Sequence, residues 1–469
     1  MSTATIDDAH ETFRNELASV APDGRRRWVY ARQPSGRFYR ARTILSWGLL
    51  AFLFLAPFVH VGGLPLVMFN VLDRRFVLFG LHFWPQDFYL VVLIALAGLV
   101  TLMLSTVTVG RVWCGWLCPQ TIFLEMLFRK IEFLIDGSAA EQLRRHRGPW
   151  TPDRVCRTVV KQAIFFGLSF LIANVFLAYI IGSDALWRIV TDPPREHLTG
   201  LVAITLFSLT FYAVFARFRE QACVLACPYG RVMSSLIDRH TITVTYDFRR
   251  GEPRGKLLKA AAATDGHGDC VDCHQCVTVC PTGIDIRHGV QLECVNCTAC
   301  MDACDDVMTR VGRRTGLIRL TSHEAVADGR LQWLTPRVVA YAAIWILLVT
   351  TVTVLVARRP ALDVLVLRQP GTLFATLPDG RIGNFYNVQV FNRTGVEVPF
   401  EIVAAEPRTA GLTPLGLPGH VGPHALNEGR LLVAVPTSDV TPGVPVRFDV
   451  VVDGAVVQRI ATSFVGPMP

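Results

Sequence analysis

The sequence predicts a multi-domain chain: an α-helical membrane domain of five spans, a compact cysteine-rich domain and a C-terminal β-sandwich. Three observations predict it. Five apolar stretches approach the roughly 20 residues that a bilayer crossing needs. Eight of the thirteen cysteines fall into two runs of C-x2-C-x2-C-x3-C between Cys270 and Cys304. From Ala361 onward, short alternating strands are separated by Gly, Pro, Asn and Asp.

With 469 residues, 51% of them hydrophobic, the chain is too long for one ordinary domain and more apolar than most soluble proteins. The net charge of +8 does not imply nucleic-acid binding, because Arg and Lys border apolar runs instead of lining one polar face. The thirteen cysteines all lie between Cys114 and Cys304, a distribution that argues against a disulfide framework. Residues 1–42 are polar and carry Arg25, Arg26, Arg27, Arg32, Arg37, Arg40 and Arg42. They read as a cytoplasmic N-terminal tail with no secretory leader.

The expected spans are Ile44–Val61, Phe88–Val109, Val159–Ile181, Leu198–Phe215 and Val338–Val356. Basic residues set their direction. Arg111, Arg129, Lys130, Arg144, Arg145, Arg147, Arg154 and Arg157 crowd the loop after the second span, which places that loop and the N-terminus in the cytoplasm of a bacterial inner-membrane protein. An odd number of spans sends the C-terminus to the periplasm. The organisation is then 43–240 as a four-span membrane domain, 241–336 as a cytoplasmic cysteine-rich domain, 337–357 as the fifth span and 358–469 as a periplasmic β-sandwich.

The two cysteine runs carry the most specific chemistry. Such tight spacing lets backbone wrap a cubane cluster while three thiolates reach three irons, and the fourth thiolate of each run crosses to the other cluster. Two [4Fe–4S] clusters follow, making 241–336 a two-cluster bacterial ferredoxin-like domain, with one cluster on Cys270, Cys273, Cys276 and Cys304 and the other on Cys280, Cys294, Cys297 and Cys300. Zinc modules instead pair C-x2-C units across longer spacers, often with His. His274 and His288 beside these cysteines read as surface residues.

A second pattern is C-x3-C-P, found as Cys114–Pro119 after span two and as Cys223–Pro228 after span four, each behind a basic residue, Arg111 or Arg219. The pair reads as an internal repeat. Four thiols at one membrane depth can bind copper as Cu(I), hold a further cluster or cycle as a redox dithiol; the bland reading is small apolar cysteines in helix packing. Cys156 has no partner in the pattern. His60 and His82 read as interface anchors, with a quinol or copper contact as the alternative.

Several motifs occur together in one order: Phe79-Gly-Leu-His-Phe-Trp-Pro-Gln-Asp87, Cys114-Gly-Trp-Leu-Cys118-Pro-Gln-Thr121, Arg219-Glu-Gln through Cys227-Pro-Tyr229, Arg250-Gly-Glu-Pro-Arg-Gly255, Cys280-Pro-Thr-Gly-Ile-Asp-Ile-Arg287 and Glu293 through Cys304. In combination they resemble the cytochrome c oxidase accessory proteins of the CcoG (FixG/RdxA) family over nearly the whole chain. The resemblance implies an immunoglobulin-like C-terminal domain. It also implies a role in assembling cbb(3)-type cytochrome c oxidase by reducing Cu(II) to Cu(I), which makes Cys114, Cys118, Cys223 and Cys227 the catalytic candidates. Oxidase-assembly or copper-chaperone proteins and a separate electron donor would be the partners, and a homodimer is open. A quinol-linked polyferredoxin-type relay and a structural assembly scaffold remain the alternatives.

Overall fold

The computed structural model describes residues 18–21, 23–71, 75–256, 267–371, 373–440 and 445–467. The first 17 residues of the expected cytoplasmic tail lie outside them. Among the described residues, five helices are long and apolar enough to cross a membrane: Arg37–Leu55, Pro85–Val109, Pro152–Ile181, Leu198–Phe218 and Pro336–Ala357. The first differs most from expectation, starting at Arg37 and ending at Leu55. His60–Val61, expected as its last residues, instead pairs as a short strand with Leu64–Pro65.

The early start has an electrostatic cause. The N-cap residue of span one is Gly36, which offers no side-chain cap. The carboxylate of Asp302 supplies one from far along the chain, accepting from the backbone N–H groups of Phe38 (3.2 Å) and Tyr39 (2.8 Å). An anion at a helix N-terminus satisfies orphan donors and opposes the helix dipole. The preceding tail also docks on the cysteine-rich domain: Arg32 donates its N–H to Thr278 O at 2.8 Å, and its guanidinium donates to Gln275 Oε1 at 2.9 Å.

The chain forms two compact units. In the larger one, the spans meet through aromatic packing and a few polar contacts. Phe128 stacks on Phe215 at 4.6 Å and meets Phe165 edge-on at 4.8 Å. The Tyr179 hydroxyl donates to Leu53 O, and Trp345 Nε1 donates to Thr101 Oγ1, both at 2.8 Å.

The smaller unit joins residues 353–469 with residues 59–88, the loop between spans one and two. Its larger sheet orders the strands Gly411–Leu415, Leu426–Val435, Ile382–Asn392 and Leu362–Arg368, with Ala375–Thr376 also on Ile382–Asn392. The second sheet is Glu401–Glu406, Pro445–Val452 and Ala455–Ser463. Every pairing is antiparallel. Alternation along Ile382–Asn392 buries Tyr386, Val388 and Val390 against Phe448 and Val450 of the other sheet, the period-2 arrangement of a sandwich core. The expected multi-domain fold, including the immunoglobulin-like C-terminal domain, is borne out.

Residues 59–88 add short antiparallel strands, Val67–Asn70, Arg75–Leu78 and Leu81–Phe83, to this unit. Asp87 accepts from Arg359 (2.5 Å) and Arg393 (3.0 Å), and Arg393 also meets Asp363 at 3.0 Å. Arg359 is thus held in an ion pair with Asp87. Asn392, within an Asn-x-Thr sequon, is buried and donates to Val396 O, Val421 O and Gly422 O.

Candidate electron-transfer site

The two C-x3-C-P segments adopt the same turn. After span two, Cys114 lies in the short helix Val112–Trp116, and Cys118 is extended (φ −65°, ψ 124°) as N-cap to a new helix whose first residue is Pro119. After span four, Cys223 lies in the π-helical turn Ala222–Ala226, and Cys227 (φ −74°, ψ 115°) caps a helix beginning at Pro228. Proline forces the extended conformation on the residue before it. Each pair therefore straddles a helix break instead of sharing one helix face.

These turns bring the four cysteines into one another's fields. Burial pushes the Cys223 thiol up to about 12, and Cys118, Cys114 and Cys227 add to the rise. Burial likewise raises Cys114, opposed by the Arg111 guanidinium and reinforced by Cys118 and Cys227. Cys156 is exposed on the helix Pro152–Ile181.

The eight remaining cysteines gather as two quartets. Cys304 feels Cys270 and Cys273, and Cys276 feels Cys304 and Cys273. Cys300 feels Cys297, Cys294, Cys280 and Cys276, Cys294 feels Cys297 and Cys280, and Cys297 feels Cys280. The backbone repeats too. Asp272 and His274 flank Cys273 in the left-handed region (φ 51° and 56°), as Asn296 and Thr298 flank Cys297 (φ 52° and 61°). Left-handed φ is rare for a β-branched residue such as Thr298, and such strain clusters at binding sites. His274 and His288 are exposed.

The donor set fits iron–sulfur clusters. Cys276, Cys280, Cys294, Cys297 and Cys300 line an apolar cavity with Val244, Ile284, Ile286 and Val295. Four thiolates on one zinc would stand only about 3.8 Å apart. Among the described residues, the single group of three or more Cys, His, Asp or Glu with ligand atoms all within 4.8 Å is Asp192, Glu196 and His197. No three cysteine sulfurs among the described residues lie within 4.8 Å of one another, wider than the ligands of one zinc and compatible with a cubane. Burial raises Cys294 and Cys304 to about 12 and Cys297 to about 11, so iron binding at these thiols would displace protons.

The quartets differ in position. Cys273 is exposed although Cys270, Cys276 and Cys304 are buried; Cys280, Cys294, Cys297 and Cys300 are half-buried, and this second, inner quartet is the one whose loop lies against the C-x3-C-P turn. Trp116 Nε1 donates to Asn296 O at 3.2 Å, and Asn296 Nδ2 donates to Val109 O at 3.2 Å. Arg42 Nε donates to Gly115 O at 2.6 Å, and Arg111 donates to Leu292 O. Gly115, adjacent to Cys114, is required by this approach: a Cβ there would run into Val295 O and stand 3.0 Å from Cys297 N and Cα. The Cys114–Cys118 turn and the Cys294–Cys300 loop are thus in direct contact.

Known proteins are similar to this chain in sequence. Residues 218–323 match the family described as a 4Fe-4S dicluster domain, residues 91–136 a 4Fe-4S binding domain and residues 352–467 the IG-like fold at the C-terminal of FixG. Protein RdxA of Cereibacter sphaeroides is 36% identical, covering 87% of this chain and 89% of its own. The chain belongs to the FixG/RdxA family. Nitrogen fixation protein FixG of Rhizobium meliloti is 32% identical over 89% of this chain and 86% of its own, and Protein RdxB of Cereibacter sphaeroides is 33% identical over 85% and 86%. This FixG/RdxA-family chain is an iron–sulfur electron-transfer protein of the membrane.

Sequence reasoning assigned no role to Arg42, Trp116 and Asn296. Trp116 and Asn296 stand inside quoted motifs, but each of the three acts on a partner 73 to 187 residues away. The available signal was the glycine inside the first C-x3-C-P, which implied a close neighbour.

Proposed function

We propose that the chain carries electrons from the quartet of Cys270, Cys273, Cys276 and Cys304 through the inner quartet to the four C-x3-C-P thiols, where Cu(II) is reduced to Cu(I) for assembly of cbb(3)-type cytochrome c oxidase. The observation that carries this reading is the packing of Gly115, beside Cys114, on the backbone of Cys297. The clusters, when bound, supply one-electron oxidation and reduction, one electron per copper reduced. Cys273, exposed at the other end, gives a separate electron donor access. The four thiols suit the product, because Cu(I) prefers soft thiolate. Burial of Cys114 also favours the ion of lower charge.

The test is to reduce the purified protein anaerobically and add either Cu(II) or a quinone. Reoxidation by Cu(II), with one Cu(I) formed per electron lost, is the expected result. Reoxidation by quinone alone would move the reading to a quinol-linked relay. A second reading, a third four-iron cluster on Cys114, Cys118, Cys223 and Cys227, is favoured by the 4Fe-4S family match over residues 91–136, a stretch whose only cysteines are Cys114 and Cys118. Iron content separates the two readings, at about eight irons per chain for two clusters and about twelve for three.

We also infer that the protein sits in the bacterial inner membrane with both quartets in the cytoplasm and the β-sandwich in the periplasm, on the distribution of basic residues. A phosphatase reporter fused after Arg393, which needs the periplasm to fold, should be active, and one fused after Arg313 inactive. The reverse pattern would overturn the assignment.

A further inference from the structure

Five arginines are buried among the described residues: Arg42, Arg111, Arg129, Arg219 and Arg287. Three are neutralised by carboxylates. Arg129 meets Glu125 at 2.8 Å, Arg219 meets Glu132 at 2.6 Å, and Arg287 meets Asp272 at 2.5 Å and Asp285 at 2.6 Å. Arg42 and Arg111, each 2% exposed, take part in no ion pair with a carboxylate among the described residues. A buried guanidinium without a counter-charge is costly, so a negative group is expected beside it.

The groups that face these two arginines are thiols and carbonyls. Arg42 donates to Gly115 O and lies in the field of Cys297. Arg111 donates to Leu292 O, and its charge acts on Cys114, Cys223 and Cys294. Its Nη2 would stand 3.1 Å from a Cβ on Gly230, which packs on Cys223 O. Its Nε has no hydrogen-bond partner among the described residues. Arg111 therefore sits between the inner quartet and the four C-x3-C-P thiols.

We propose that Arg111 and Arg42 are the counter-cations of the metal-bound thiolates, Arg111 serving both thiol sets and Arg42 the inner quartet. They are positioning residues that act on the potential of the centres, not ligands. A fixed positive charge stabilises the more negative, reduced state and so raises its reduction potential. Sharing one cation between two centres also favours an electron on either side of the contact, which suits passage across it. The inference rests on the preceding reading in taking the inner quartet as a redox cluster and the C-x3-C-P thiols as a metal site, whether copper or a further cluster.

The test is a redox titration of the cluster-loaded, full-length protein, followed by low-temperature electron paramagnetic resonance without copper or quinone. Arg111→Gln and Arg42→Gln should each move the inner-quartet cluster to a more negative midpoint potential, and the double variant should move it further. The cluster of Cys270, Cys273, Cys276 and Cys304 should shift less. Arg111→Lys, which keeps the charge, should retain the wild-type value. Unchanged potentials in both Gln variants at full iron content would overturn the proposal, as would an Arg111→Lys shift equal to that of Arg111→Gln. If the Gln variants fail to hold iron, retention in Arg111→Lys and Arg42→Lys supports charge balance. Loss in the Lys variants as well would make both residues structural and refute it. Failure of Cu(II) to reoxidise the protein bears on the preceding reading alone.

Discussion

Replacing any one of Cys114, Cys118, Cys223 or Cys227 with Ser is expected to abolish Cu(II) reduction while both ferredoxin-type quartets stay loaded and reducible. The loss should exceed the roughly 10–100-fold typical of removing an outer-sphere partner, because a hard hydroxyl cannot replace thiolate for Cu(I). Combining one change from each turn should cost little more than either alone, since groups acting as one unit are non-additive. The assay pairs Cu(I) production with the iron signal of the same sample. Multiplicative losses would mean two separate sites. Undiminished Cu(II) reduction in all four variants would remove these thiols from the proposed path.

The second large effect concerns the quartets. Cys273→Ser and Cys297→Ser should each lower iron by about four per chain, but their consequences should differ. Cys297 lies where the inner quartet meets the Gly115 turn, so its loss should stop electrons from reaching the C-x3-C-P thiols whatever the donor. Cys273 lies at the exposed end. Its loss should block a protein donor, yet a small chemical reductant should still feed the inner quartet and sustain part of the activity. Equal loss in both variants with the small reductant would contradict a serial path. Full activity in a zinc-only preparation would remove iron from the mechanism.

Much of this was legible because the chemistry is local. A cubane needs thiolates at fixed short spacings, so Cys270–Cys280 and Cys294–Cys304 declare themselves within eleven residues each. Span length and apolarity are equally local, and they located all five helices. The errors fell where distant residues decide. Hydropathy could not extend span one to Arg37, because the cap on that turn comes from Asp302 and the buried Arg42 is held by Gly115. The loop between spans one and two reads as a simple connection, yet it forms strands too short to show a period-2 pattern. Asp87 there is matched by Arg359 and Arg393, more than 270 residues away.

The role of Asp302 has a consequence for biogenesis. Span one leaves the ribosome early, but the carboxylate that completes its first turn is encoded 264 residues later. At 5–20 residues per second, the interval is about 15–50 s. Throughout that interval the helix start lacks its cap, and the tail lacks the docking surface around Gln275 and Thr278. The same helix, Ala299–Arg310, also carries Cys300 and Cys304, one thiol for each quartet. Metal insertion and the final seating of the first span are therefore expected to be late, coupled events of synthesis, and a chain truncated before Asp302 should present a loosely held N-terminus to proteolytic quality control.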